Sequence, residues 1–335
     1  MTTESYEHLL GWWTAFDDPF VWITSVAAVV VLTASGIAIQ LLKRSGRINA
    51  ALFQDMWLRW KSWLWLALLM LIPILLGAAW VIVAVAVLSL LCFSEYARAT
   101  GLFREKLLCA VVVFGVLALT FASADNYSRL YFALGPLIVG FLAIVTIPQD
   151  RPHGYIQRTA LAVMGFLLLG HGLGYLALIA NSAHYRSLLL LILIGVEAND
   201  VFAYCVGKTI GGPKLIPNTS PGKTIAGSIG ALVLTTALVA TLGHVIFHDT
   251  AMDRLELLLV LGAGMSILGQ YGDLLLSSIK RDLGLKDLGV AIPGHGGMLD
   301  RFDSLVLVPP AAFHFLSLHL GPLNGAFAER ILTGG

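Results

Sequence analysis

The chain has 335 residues, 58% of them hydrophobic and 12% charged, with a formal net charge of +1. A water-soluble domain carries about 25% charged residues, so this composition excludes an ordinary soluble surface. The near-neutral balance excludes electrostatic recruitment of nucleic acid.

The first twenty residues hold Glu4, Glu7, Asp17 and Asp18 but no Lys or Arg, so the basic start of a cleaved signal is missing. Trp12, Trp13, Phe16 and Trp22 predict an aromatic anchor at a membrane interface. Ten apolar runs are read at about 20–42, 62–77, 79–97, 107–123, 130–148, 159–180, 187–207, 224–247, 255–279 and 302–320. The fold class is therefore all-α and polytopic. Residues 62–97 run on without a polar break and could form one long helix, which would make nine spans. Pro73 and Gly77 instead predict a tight hairpin. The basic residues favour the hairpin. Ten spans put 17 of the 21 Lys and Arg on one side and 4 on the other, whereas nine spans split them 12 to 9. The positive-inside rule then predicts both termini outside and the basic loops cytoplasmic, in the inner membrane of a bacterium.

Between the first two runs, Phe53, Trp57 and Trp60 recur at helical spacing near Arg47, Arg59 and Lys61. This fits either an amphipathic helix on the inner leaflet or a snorkelling linker. Cys92, Cys109 and Cys205 lie in apolar runs without metal spacing and read as small hydrophobes. His244 and His248 stand four apart at the outer end of a run and read as interfacial. No repeat of 20–50 residues is visible. The organisation expected is an extension, 1–61, a helical membrane region, 62–198, a catalytic membrane region, 199–320, with cytoplasmic loops 208–223 and 280–301, and a short tail, 321–335.

Charge inside a span is costly and points to function. Three places carry it: Glu197 with Asp200, Asp273, and the approach to Asp303. Within about thirty residues stand Asp273, Ser277, Lys280, Arg281, Lys286, Asp287, His295, Asp300, Arg301 and Asp303. Carboxylates are the hard oxygen ligands Mg²⁺ prefers. Lys and Arg beside them neutralise phosphate oxygens, and the glycines around His295 let backbone approach a ligand. A second polar loop holds Ser220, Lys223 and Thr224. It is no P-loop, because the position five before Gly222 is Pro217. Ser220 as helix cap and Pro221 in the first turn predict that the eighth span begins there, with Lys223 at a phosphate-binding helix start.

The unbroken run from Ser277 through Pro293-Gly294-His295-Gly296-Gly297 to Asp300-Arg301-Phe302-Asp303 resembles the signature of the CDP-diacylglycerol synthases, or phosphatidate cytidylyltransferases. The resemblance extends upstream to Ser220–Thr224 and to Asn199-Asp200, and covers about 62–320. It implies transfer of CMP from CTP to phosphatidic acid, with release of pyrophosphate, at a cytoplasm-facing site. Asp273 and Asp300 match the family's paired metal-binding aspartates, which implies Mg²⁺ and leaves room for a second cation, monovalent or divalent. Asp273, Lys280, Asp287, Asp300 and Asp303 are then the catalytic set. Asp200, Ser220, Lys223, Thr224, Ser277, Arg281, His295 and Arg301 are the substrate-binding set. Expected partners are CTP, phosphatidic acid and membrane lipids, with a homodimer compatible. Ala226 and Leu276 stand where the family commonly has Glu. Two other readings compete: CTP-dependent transfer to an ether-lipid phosphate or polyprenol, and an ion-coupled transporter using Glu197, Asp200 and Asp273. A transporter predicts symmetry between halves, which the sequence does not show.

Overall fold

Lipid offers a backbone amide no partner, so each apolar run must close its own hydrogen bonds, and it does so as a helix. The computed structural model describes residues 3–289, 296–323 and 330–333. Among the described residues ten helical segments are long and apolar enough to cross a membrane. A short α1 (Thr3–Leu10) precedes them. Then come α2 (Pro19–Arg44), α3 (Ala50–Leu76), α4 (Ala78–Ala99), α5 (Lys106–Ala124) and α6 (Ser128–Ile144). The sixth span is made of α7 (Tyr155–Gly165), a π-helical stretch (Phe166–Gly172) and α8 (Leu173–Ile179). After α9 (Tyr185–Ile210), β1 (Lys214–Ile216) and β2 (Ser220–Thr224) form a hairpin, followed by α10 (Ile225–Ile246), α11 (Leu255–Asp282) and α12 (Val308–Leu320).

Local chemistry sets these boundaries. Asp18 caps α2 by accepting from the Phe20 amide at 2.8 Å, with Pro19 in the first turn. Asn49 caps α3 through the Leu52 amide. The hairpin expected near Pro73 and Gly77 is present. Gly77 has φ +138, and a Cβ there would lie 2.3 Å from the Leu9 carbonyl oxygen, so only glycine lets α1 close over the turn. The Phe53–Trp57–Trp60 stretch is neither a separate surface helix nor a linker. It forms the first turns of α3, stacked ring on ring, with Lys43 over Phe53 and the Trp60 indole donating to the Leu32 carbonyl at 2.9 Å. The aromatic face is used to pack α3 on α2.

One expectation is corrected. The eighth span does not begin at Ser220, because a short β-hairpin interrupts the otherwise all-α polytopic fold there. Ser220 pairs with Ile216 in the β-hairpin, and the cap of α10 is Thr224, whose hydroxyl accepts from the Gly227 amide at 3.0 Å. Lys214 opposite Thr224 holds the segment extended until the cap, so Pro221 falls in a strand at the edge of a two-stranded sheet, where its missing N–H costs nothing.

The packing that positions the site is the contact of α9, α10 and α11. Between membrane helices there is no hydrophobic driving force, so close approach and interhelical hydrogen bonds matter. A Cβ at Gly227 would sit 2.5 Å from the Ala203 carbonyl oxygen, which marks how closely α10 lies on α9. Buried Asn199 of α9 accepts from Ser266 of α11 at 2.6 Å and from Thr235 of α10 at 3.3 Å.

Candidate active site

Asp273, Ser277 and Lys280 are spaced i, i+4, i+7 on α11, so they share one helix face. The Ser277 hydroxyl donates to Asp273 Oδ1 at 3.2 Å. Lys223, the residue before the Thr224 cap, leaves β2 towards α11 and meets Asp273 Oδ2 at 2.7 Å. The Lys280 ammonium lies 3.0 Å from Asp300 Oδ1 and 3.6 Å from Asp303 Oδ2. Both lysines and their aspartates are largely shielded from solvent, which strengthens each pairing relative to an exposed one.

Asp300 is also a backbone clamp. Its Oδ2 accepts from the Leu288 and Gly297 amides, each at 2.9 Å, so one buried carboxylate holds both of these residues. Asp303 Oδ1 accepts from the Ser304 amide at 2.9 Å, and the Ser304 hydroxyl donates to Asp200 Oδ2 at 2.8 Å, which joins this stretch to α9. A Cβ on Gly272 would come within 2.6 Å of the Asp303 carbonyl oxygen, so the chain crosses α11 at contact distance.

These groups face one cavity of about 930 Å³. Its walls bring together Asp200, Asp273, Lys280, Asp287, Asp300, Arg301 and Asp303 from the expected set. Lys223 and Ser277 reach it through Asp273. Three expected residues have other positions: Thr224 caps α10, Ser220 pairs in the hairpin, and Arg281 donates to the Thr219 and Leu285 carbonyls, bracing the hairpin against the end of α11. His295 lies outside the described residues. Leu276 is buried in the core, which suits an apolar side chain at that position.

The sequence reading missed Glu95 and the contribution of α3. Glu95, near the end of α4, accepts from the Met298 and Leu299 amides at 2.9 and 2.8 Å and so holds the turn that presents Asp300 and Arg301. Its only signal was a lone carboxylate in an apolar run. Arg59 and Trp63 of α3 line the cavity, as does Glu197 of α9.

Charge decides what the cavity can take. Among the described residues six carboxylates line it, Glu197, Asp200, Asp273, Asp287, Asp300 and Asp303, with the four cations Arg59, Lys280, Lys286 and Arg301, and Lys223 reaches it through Asp273. A polyphosphate entering alone would face several of these carboxylates. A divalent cation entering with it offsets both charges, and oxygen-only donors are what Mg²⁺ takes. The donor chemistry therefore fits Mg²⁺. Among the described residues no group of three or more His, Cys, Asp or Glu side chains is placed to hold a metal ion by itself. For the anion, the buried Nε of Arg301 lacks a hydrogen-bond partner among the described residues, and an orphaned buried donor in a cleft marks where a ligand acceptor belongs. The outer histidines each meet a carboxylate, His244 with Asp253 and His248 with Asp249, and both remain exposed.

Residues 57–319 match the profile of the Cytidylyltransferase family. The chain is 31% identical over 267 residues to the uncharacterized protein YnbB of Escherichia coli K12, covering 77% of this chain and 86% of that protein. It is 34% identical over 212 residues to a phosphatidate cytidylyltransferase of Staphylococcus saprophyticus, covering 55% of this chain and 80% of that one. A phosphatidate cytidylyltransferase of Staphylococcus haemolyticus is 32% identical over 251 residues, covering 73% and 93%. The profile match begins inside α3, so α1 and α2 lie outside it.

Proposed function

The chain belongs to the cytidylyltransferase family, and from that premise we propose that it transfers CMP from CTP to phosphatidic acid, giving CDP-diacylglycerol and pyrophosphate for phospholipid synthesis. The observation that carries this is one cavity, set among membrane spans, in which Asp273, Lys280, Asp300 and Asp303 meet the groups that hold them. The relatives named as phosphatidate cytidylyltransferases support the same substrates.

In the reaction a phosphate oxygen of the lipid attacks the α-phosphorus of CTP. A new P–O bond forms to that phosphorus, its bond to the bridging oxygen breaks, and the electron pair leaves with pyrophosphate. The nucleophile is already anionic, so no strong base is required. Such transfers depend on positioning and charge neutralisation. Lys280 and Arg301 line the cavity and neutralise phosphate oxygens, and Lys223 joins them from its place on Asp273. Ser277 orients Asp273, while Asp300 and Glu95 fix the backbone that carries Arg301. Mg²⁺ would supply further neutralisation of the polyphosphate when bound, and Asp273 and Asp300 are the residues that would hold it. The cavity faces the cytoplasm of a bacterium, a placement supported by the uneven division of Lys and Arg between the loops.

The test is purified protein in detergent with phosphatidic acid, Mg²⁺ and CTP labelled at either the α- or the γ-phosphate. Label from the α position in the lipid, with stoichiometric pyrophosphate, is the expected result. Label from the γ position, or none, overturns the proposal.

A further inference from the structure

A second cavity, about 240 Å³, lies beside the polar one between α3, α4 and α9, and among the described residues apolar side chains alone line it. Met70 and Phe302 border both cavities. Phe302 stands between Arg301 and Asp303, so the step from polar to apolar wall takes one residue. The inner wall, including Ile74, Val85, Leu189 and Leu305, is buried. The rim, with Leu69, Val87 and Leu91, is exposed on the apolar outer surface of the helices.

We propose that this groove holds one hydrocarbon tail of the lipid phosphate while its headgroup occupies the polar cavity. The inference rests on the lipid-phosphate reading above and adds where the tail lies. Three observations commit the occupant. The walls offer no polar partner, so a ligand polar along its length would lose its hydrogen bonds there. The shared border fixes the separation between headgroup and tail to the width of one aromatic side chain. The exposed rim lets a tail slide in from the bilayer without crossing a charged surface.

Size decides how many tails. A dry apolar cavity of about 150 Å³ holds a benzene molecule. A space of 240 Å³ therefore takes a stretch of one tail, and the other tail stays in the bilayer. Met70, unbranched and adaptable, stands at the border as a side chain that can repack around tails of different shape. Tail selectivity is thus assigned to the groove, and nucleotide selectivity to the polar cavity.

Ala84 lines the groove and is only partly buried, so Ala84→Phe fills it with little disturbance of the core. The experiment pairs two measurements on the full-length protein in detergent. The first is crosslinking to phosphatidic acid carrying a diazirine in mid-chain, with the labelled residues mapped by mass spectrometry. The second is KM for dioleoyl and dihexanoyl phosphatidic acid, and for CTP. Label is expected on Val85, Leu88 and Leu189 and is lost in Ala84→Phe. In that variant KM for the dioleoyl lipid rises about tenfold, the scale of one or two misplaced methylenes in an apolar pocket, while the dihexanoyl lipid and CTP are unaffected. Leu88→Ala, which widens the groove, is expected to lower KM for a methyl-branched tail relative to oleoyl. Label spread over other lipid-facing helices, or equal loss for long and short tails, overturns the proposal. Groove labelling without CDP-lipid formation would keep the groove and reject the cytidylyl transfer, whereas turnover with label elsewhere would do the reverse.

Discussion

The two ends of α9 handle charge in opposite ways. At its start, Arg186 donates to the Gly11 carbonyl at 2.7 Å, to the Thr14 carbonyl and hydroxyl, and to the Ile74 carbonyl. Ser187 beside it donates to Asp18. Every partner is a fixed dipole or a helix cap, and the cluster closes α1, α2 and α3 onto the bundle. Towards the other end, Asp200 faces a cavity, and the carboxylates around it are held by lysines on mobile four-carbon stems. A charge satisfied by backbone carbonyls has nothing to exchange. A charge satisfied by a flexible opposite charge can hand that partner to an incoming phosphate. That difference separates a structural cluster from a reactive one, although both are polar islands in an apolar molecule.

The largest expected effect falls on the exchangeable end. Asp273→Asn should lower turnover of CTP per folded molecule about 10³-fold, the scale for losing one preorganised charge at a transferring centre, with the melting midpoint in detergent read separately because the variant leaves Lys223 unpaired. Lys223→Met should approach the same loss, and the double variant should be no worse than either single one. Additive losses would mean that the two do not act as a pair.

Glu95 tests the boundary between the two classes. Among the described residues it binds backbone amides, as a structural group does, yet the backbone it binds carries Asp300 and Arg301. Glu95→Ala should cost about 10- to 100-fold in kcat/KM through misplacement, and Glu95→Gln, which retains an acceptor, should recover part of it. Full activity in Glu95→Ala would make the turn self-supporting.

At the opposite end, Arg186→Ala should destabilise the fold by about 2 kcal/mol, from hydrogen bonds to a charged group and the carbonyls left behind. Activity per folded molecule should hold. The melting midpoint and the specific activity of the surviving fraction measure these separately, and a selective loss of turnover would break the comparison.

The smallest effect concerns Asp125, which accepts from the Leu332 and Thr333 amides and the Thr333 hydroxyl, while Arg330 lies over Tyr127. Burial opposes ionisation here, but the Thr333 and Leu332 hydrogen bonds and the Arg330 charge outweigh it and hold the carboxyl below its usual range. A depressed carboxyl stabilises the fold above its unfolded value of about 3.9 and loses that contribution as pH falls through the folded one. Acid should therefore release residues 330–333 while activity at neutral pH after return is unchanged. Hydrogen exchange of those amides checks it.

Much was legible in the sequence because some signals need no tertiary context. Ten apolar runs of bilayer length, the break at Pro73 and Gly77, and the polar stretch from Asp273 to Asp303 follow from the cost of exposing backbone and charge to lipid. The i, i+4, i+7 spacing of Asp273, Ser277 and Lys280 already puts them on one face. The resemblance in the Ser277–Asp303 run leads to the same family that the profile match shows.

The tertiary structure alone decided the rest. Lys223 and Asp273 are fifty residues apart, and the β-hairpin together with the close packing of α10 on α11 brings them to 2.7 Å. The hairpin itself was hidden, since Ser220-Pro221 reads locally as a helix start and its pairing with Ile216 is not local. Glu95 reaches across some two hundred residues to the turn it holds, and no periodicity marks it. Apolar side chains that look alike in sequence divide into core, lipid-facing surface and the wall of a groove only when α3, α4 and α9 are packed. Composition determines which solvent a segment prefers, whereas which groups meet there depends on contacts between segments distant in the chain.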